Sequence, residues 1–421
     1  MIHPLLQTYG PFDGWMILLL IASVSIGFFT YQVQKATRLV LIGAPDSRFD
    51  SWGPRIKEFI LGWLGQKKVL RDRVAGTMHV LMFWGFLMLA SDMFDLATAN
   101  YFSGELLPEL VVGPWNGMVE LGYTMALIGC VSALVRRVAF TPEKLKGKSQ
   151  LEGNAILLLI FTITTTSFMI ESKEDPSPFW EPIGYQFSEF GLADRTVVVS
   201  YWLHMLAISV FLFLIPLSKH MHLVMAVPNV FFHDTGPAAK MRPLAMGDDG
   251  KAVPLEDLDI DSFGVSSYTQ YTWRQLIDGW SCTSCARCQD VCPAYASGKG
   301  LNPMQVIHDV RDYANEHAPL LLSGETPEET MMQRITEEAV WACTTCNACV
   351  DVCPLYIEHV PKLTDLRRNA MMETMEYPDV LNTAMGNIES TSNPYGYGDH
   401  ERADWASDLD VKIGEPAEYI Y

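Results

Sequence analysis

The chain changes character near residue 232. Before that point its apolar residues gather in five runs, near 14–34, 75–97, 116–138, 153–171 and 197–220. Each run holds roughly the 20 residues that a helix needs to cross the hydrocarbon core of a bilayer. Within a bilayer the backbone polar groups must be bonded inside the segment, so runs of this kind predict helices. The first run has no basic stretch before it and no small-residue cleavage site after it, which makes it a retained span rather than a signal peptide. After residue 232 the long runs stop. Short segments with helical spacing replace them at 271–277, 303–317 and 328–342, and a short basic helix is expected from Lys362 to Arg368. The tail 371–421 holds eleven acids, two bases and many turn formers. The expected organisation is an all-α protein: a five-helix transmembrane domain at 1–232, a linker at 233–270, a compact helical domain at 271–370 and an acidic tail at 371–421.

Charge in the loops orients the spans. Nine Lys and Arg residues separate the first and second runs, from Lys35 to Arg73, and five more separate the third and fourth. Residues 98–115 contain none, and 171–195 contain only Lys173 and Arg195 against six acids. Basic loops stay in the cytoplasm. The N-terminus is therefore expected outside, and everything after the fifth span in the cytoplasm, at the cytoplasmic membrane. The net charge of −19, concentrated in the second half, leaves no basic surface for phosphates and excludes nucleic acid as a partner.

Eight of the nine cysteines fall in two runs of the form C-x2-C-x2-C-x3-C-P, Cys282 to Pro293 and Cys343 to Pro354. This is the ferredoxin spacing for [4Fe–4S] clusters, in which the fourth cysteine of each run ligates the other cluster. One cluster is then assigned to Cys282, Cys285, Cys288 and Cys353, and the second to Cys343, Cys346, Cys349 and Cys292. Structural zinc uses fewer cysteines at this spacing, and disulfides need an oxidising compartment, which the cytoplasm is not. Cys130 stands alone in an apolar run and reads as a core thiol.

A histidine within a span is a functional candidate by default. His79 lies near the cytoplasmic start of span two, His204 lies in the outer half of span five, and His220 and His222 lie at its cytoplasmic end. A b-type haem takes one axial imidazole from each of two facing helices at similar depth, and His79 with His222 fits best. His204 and His220 remain candidates for a second haem or for a quinone. Acids near the outer face (Asp92, Asp95, Glu120 and Glu171) are candidates for a proton route; Glu120 and His204 suit a quinone site, while the other three suit span ends.

The stretch from His204 to Pro228, with Pro216 in its middle and His222 eighteen residues after His204, resembles the last span of the cytochrome b subunit of respiratory nitrate reductases. His79 matches that family's cytoplasmic-side ligand. The family's outer ligand, ten residues later, is replaced by Leu89, so the resemblance implies one haem b. A resemblance over nearly the whole chain is carried by Gly65-Gln-Lys-Lys-Val-Leu-Arg-Asp72, Ser218-Lys-His-Met-His222, Trp341-Ala-Cys-Thr-Thr-Cys346 and Ile357-Glu-His359. These pieces are similar to the N-terminal part of heterodisulfide-reductase-like membrane iron–sulfur oxidoreductases, including electron-transfer-flavoprotein:menaquinone oxidoreductases. The resemblance implies a quinone-linked electron-transfer subunit, running from a cytoplasmic flavoprotein or a subunit with cysteine-rich CCG domains to menaquinone. That partner is expected to dock on the 371–421 tail and the ferredoxin face. The alternative is a heterodisulfide-reductase-type subunit carrying electrons from quinol or methanophenazine to a cytoplasmic disulfide reductase.

Overall fold

The computed structural model describes residues 3–102, 109–140, 148–236 and 263–409, with short stretches at 241, 243–244, 253–257 and 416; side chains of 91–102, 109–111, 148–149 and 255 are not among those described. The proposed span-end acids Asp92 and Asp95 therefore lie outside the described side chains. Helix α1 (Gly14–Leu41) is followed by the short α2 (Trp52–Phe59), then α3 (Arg73–Phe102), α4 (Glu109–Ala139) and α5 (Lys148–Glu171). The short α6 (Pro182–Glu189) precedes α7 (Asp194–Leu217), and α8 (His222–Phe231) follows it. Five of these, α1, α3, α4, α5 and α7, contain stretches long and apolar enough to cross a membrane. Leu19, Leu20, Val24, Leu203 and Leu206 lie exposed along α1 and α7. On helices of this hydropathy, such faces suit lipid.

The inner faces pack α3 on α4, α4 on α5, α5 on α7 and α7 on α1. Their shared core holds Cys130, Ile156, Ile160, Ala207, Phe211 and Ile215, with Phe86 and Met82 against it. Cys130 is a core thiol, donating from Sγ to the Leu157 carbonyl at 2.9 Å. The α3–α4 seam is drawn close by glycines. A Cβ at Gly85 would meet the Gly122 carbonyl at 2.8 Å, so only a residue without a side chain lets the backbones approach this far.

The fifth span ends earlier than its apolar pattern suggests. Ser218 is extended (φ −130°, ψ 177°), and its hydroxyl accepts from the His220 amide at 3.2 Å. A 3₁₀ turn, Lys219–Met221, then delivers His222 to the start of α8. His222 therefore sits on a separate helix beyond the span, not at its last turn.

The second half contains α9 (Trp273–Ser281), α10 (Arg287–Asp290), α11 (Pro293–Ala296), α12 (Pro303–Glu316), α13 (Ala318–Ser323), α14 (Met331–Ile335), α15 (Glu337–Ala342), α16 (Ala348–Val352) and α17 (His359–Asn369). Helix α9 starts at a capping box, Thr272 with Gln275. The expected helix over 328–342 is broken in two at Thr336 (φ 78°), whose hydroxyl caps α15 by accepting from the Ala339 amide. Residues 1–243 and 265–364 form one compact unit; residues 244–264 and 365–421 form another. Within the second unit, α18 (Val380–Thr391) leaves Val380, Met385 and Ile388 exposed, as are Tyr395, Tyr397 and Trp405 after it. Tyr419 and Tyr421 lie outside the described residues.

Within the first unit a buried polar network joins the helices that flank the cysteine runs to the segments around the spans. Arg274, on α9, donates to Asp278 Oδ1 at 2.8 Å, to Asn229 Oδ1 on α8 at 2.9 Å, and to the carbonyls of Phe232 and Tyr356. Lys362 Nζ donates to Asp278 Oδ2. Glu358 accepts both guanidinium arms of Arg48, from the loop after α1, at 3.0 and 3.3 Å, and the Asp234 amide at 2.9 Å. Arg274, Asp278 and Lys362 are completely buried. Burial alone would raise the Asp278 pKa, but the Lys362 and Arg274 cations hold it down at about 2. The expected basic helix after the second cysteine run does form within α17, yet Lys362 points inward and not to solvent.

Candidate cofactor sites

The two cysteine runs adopt the same backbone path. Ser284 and Ala286 have positive φ (55° and 61°), and so do their counterparts Thr345 and Asn347 (55° and 59°). These left-handed positions curl each C-x2-C-x2-C loop so that its three sulfurs face one side, and the third cysteine of each lies on a short helix, α10 or α16. The fourth cysteine of each run precedes a proline. One cavity is lined by Cys282, Cys285, Cys288 and Cys353, and the other by Cys292, Cys343, Cys346 and Cys349. Each thus gathers three cysteines of one run and the last of the other.

The chemistry of these cavities suits a polynuclear cation. Burial pushes the Cys349 thiol up to about 12, with Cys343 and Cys292 adding to it, and pushes Cys353 up to about 12 as well, helped by Cys285. Four thiolates cannot be kept together there unless positive metal charge offsets them. The Thr345 amide points at Cys343 Sγ at 3.4 Å, and His308 Nε2 lies 3.6 Å from Cys282 Sγ and 3.1 Å from the Ser284 hydroxyl. His359 lines both cavities. It is buried, and burial followed by the nearby Lys362 lowers it to about 4, so it is neutral at pH 7. Neither His308 nor His359 announces itself in the sequence as a cluster neighbour. The first lies on an ordinary amphipathic helix, and the second stands out only within the Ile357-Glu-His359 resemblance.

The histidines divide into two places. His79 lies on α3 with Nδ1 buried and without a hydrogen-bond partner, stacked beside Phe83. His222 lies within electrostatic range of it. The Nδ1–H of His222 donates to the Lys219 carbonyl at 2.8 Å, which leaves Nε2 with a free lone pair, and burial lowers its pKa, keeping it neutral. Two imidazoles, one with an orphaned nitrogen and one oriented by a backbone carbonyl, fit axial ligation of a b-type haem. His220 bonds instead to Ser218 Oγ at 3.0 Å.

His204 is buried away from these, on α7 facing α5. Its Nδ1 lies 3.0 Å from Thr166 Oγ1, 3.4 Å from Ser167 Oγ and 3.1 Å from the Ile163 carbonyl. Glu120 does not join it. Its two oxygens accept the Ile183 and Gly184 amides at 2.8 and 3.0 Å, at the start of α6, which gives Glu120 a helix-capping role. Glu171 packs against the same turn, beside Gly184. An acid followed by apolar residues in a span looks catalytic in sequence; only the fold reveals the amide pair it caps.

Residues 274–354 match the family described as 4Fe-4S dicluster domain. Over 96% of its length the chain is 28% identical to the EtfAB:quinone oxidoreductase of Syntrophomonas wolfei, covering 60% of that protein. It is 26% identical to the "Probable iron-sulfur-binding oxidoreductase FadF" of Bacillus subtilis, over 96% of this chain and 64% of that one. A subunit of the dihydromethanophenazine:CoB–CoM heterodisulfide reductase of Methanosarcina mazei is 32% identical over 35% of this chain and 37% of its own. The chain therefore spans somewhat less than two thirds of the first two relatives. No solved structure matches it. Five membrane-length helices among the described residues, a dicluster domain and these similarities make the chain a helical membrane protein resembling the heterodisulfide-reductase-like iron–sulfur oxidoreductases.

Proposed function

We propose that the chain is a multi-pass subunit of the cytoplasmic membrane, N-terminus outside, that relays electrons between a cytoplasmic redox protein and menaquinone. The observation carrying this reading is the joining, in one compact unit, of two four-cysteine cavities with a pair of half-buried histidines beside membrane-length helices. When bound, two [4Fe–4S] clusters and one haem b supply one-electron carriage. The chain's residues supply position and environment. The eight cysteines would hold the clusters in crossed sets, and amides such as that of Thr345 would donate to the sulfurs. His79 and His222 would supply the ligand nitrogens for the haem.

Quinone reduction takes two electrons and two protons. His204, held by Thr166, Ser167 and the Ile163 carbonyl, is the residue we assign to bond a quinone oxygen within the membrane. The cytoplasmic partner is a flavoprotein or a CCG-domain subunit, and the exposed aromatic and aliphatic residues of the tail, among them Val380, Ile388 and Trp405, suit docking. The similarity to the Methanosarcina heterodisulfide reductase favours a second reading, with flow from a membrane quinol or methanophenazine toward a disulfide reductase.

Replacing either His79 or His222 with alanine is expected to abolish b-type absorption while leaving the cluster iron in place. Full haem in His79→Ala with loss in His204→Ala would overturn the pairing. A His204→Leu variant is expected to keep its haem and to lose most menaquinone-analogue reduction in steady-state assays; wild-type rates would remove His204 from the quinone site.

A further inference from the structure

The two cysteine sets are not equivalent with respect to the membrane-side helices. The first set is tied to both histidine-bearing segments. Ser281, immediately before Cys282, donates from Oγ to the Met225 carbonyl at 3.0 Å, three residues after His222 on α8. Arg287, between Cys285 and Cys288, donates to the Lys68 and Val69 carbonyls at 3.0 and 3.2 Å, in the turn leading into α3 and His79. Arg287 also lines the first cavity and lies within electrostatic range of His79. Cys353, the crossed member of this set, follows α16, whose Asp351 pairs with Arg71 at 2.9 Å. Lys68 sits over the Tyr356 ring at 3.9 Å and within electrostatic range of Cys353.

The second set is the more exposed. Cys346 is exposed and Cys343 half-buried. Thr344, which lines the same cavity, is exposed, as are Val291 and Tyr295 on either side of Cys292 in the chain. In the first set Cys282, Cys288 and Cys353 are buried and Cys285 is half-buried, so Cys346 of the second set, whose Cys292 and Cys349 are buried, is the one exposed cysteine of the eight.

We propose that the Cys282, Cys285, Cys288 and Cys353 set is the membrane-side member of the pair, held against the His79 and His222 segments by Arg287 and Ser281, and that the Cys346 set is the solvent-facing port for the cytoplasmic partner. This rests on the proposed relay and adds its order: partner, Cys346 set, Cys285 set, histidine pair. Arg287 is a positioning residue. Its cation, within electrostatic range of His79, would also favour an electron added to a haem held there, because opposite charge is felt strongly in a site shielded from water.

The test uses the full chain, purified anaerobically in detergent and reduced with dithionite. The variants Cys285→Ser and Cys346→Ser assign each reduced-cluster EPR signal to its set. An aqueous gadolinium chelate is then added to the wild type. The half-saturation power of the Cys346-set signal should rise several-fold, and that of the Cys285-set signal should change little; an equal or reversed response overturns the order. Arg287→Gln should keep both signals, open the Cys285 set to gadolinium and lower the haem midpoint potential, with Arg287→Lys recovering part of the potential. Intact clusters with unchanged gadolinium access and unchanged potential would remove Arg287 from the role. Should the wild type contain no haem, the relay reading fails on that count, while the gadolinium responses of wild type and Arg287→Gln still decide the placement.

Discussion

Replacing Lys362 with methionine should destabilise the protein by roughly 3–5 kcal/mol, the usual cost of stripping one partner from a buried ion pair. The Asp278 carboxylate has no exposure to water, and Lys362 and Arg274 are the two cations it faces. Without Lys362, Asp278 keeps only Arg274, which it shares with Glu358, while Glu358 also holds Arg48. Neutralising the acid as well, in Lys362→Met with Asp278→Leu, should recover part of the loss, since an apolar pair leaves no uncompensated charge. Loss of cluster absorbance on heating measures both. The same network predicts an acid limit. Asp278 has a folded pKa of about 2, below its ordinary 3.8. A depressed carboxylate contributes stability above its unfolded pKa and loses it as pH falls through the folded one. That contribution should fade between about pH 4 and pH 2, and be missing from the double variant. A Lys362→Met protein as stable as wild type would show that the network does not hold the unit together.

Removing Cys292 should cost the protein its second cluster and spare the first, although Cys292 belongs to the first run. The cavity grouping places Cys292 with Cys343, Cys346 and Cys349. Cys292→Ala should therefore lose the same EPR signal as Cys349→Ala, and Cys353→Ala the same signal as Cys282→Ala. In each case non-haem iron should fall from about eight toward about four per chain. The reverse assignment, with each run losing its own signal, would mean uncrossed ligation and a different chain path between the cavities. Because cluster binding and folding are linked, each variant is also expected to melt earlier than wild type.

The features legible in the sequence are those that repeat or are periodic. Five long apolar runs and two identical cysteine spacings are strong local signals, the helix of 303–316 follows from helical spacing, and the basic helix expected from Lys362 to Arg368 lies within 359–369. Features that depend on a partner distant in the chain are not legible there. Arg274, Asp278, Glu358 and Lys362 look like the wet side of amphipathic helices, and only the apposition of α9, α17 and the Arg48 loop makes them an interior. Glu120 looks like a lone acid in a span until α6 presents two amides to it. The end of α7 comes at Leu217, where Ser218 turns extended just before the polar Lys219 and His220, three residues short of the expected end at 220. Arg287 has no signal beyond its place inside a metal-binding loop, where a basic residue is ordinary unless its carbonyl partners are known.

The relay itself is tested most directly by an anaerobic redox titration of the purified wild-type chain, followed in parallel by visible absorption and EPR. The account predicts two interacting [4Fe–4S] signals, about eight non-haem irons per chain, one b-type haem by pyridine haemochrome, and reoxidation of that haem by a menaquinone analogue. Stoichiometric zinc, absence of a b-type band, or a reduced haem that a menaquinone analogue leaves untouched would contradict it.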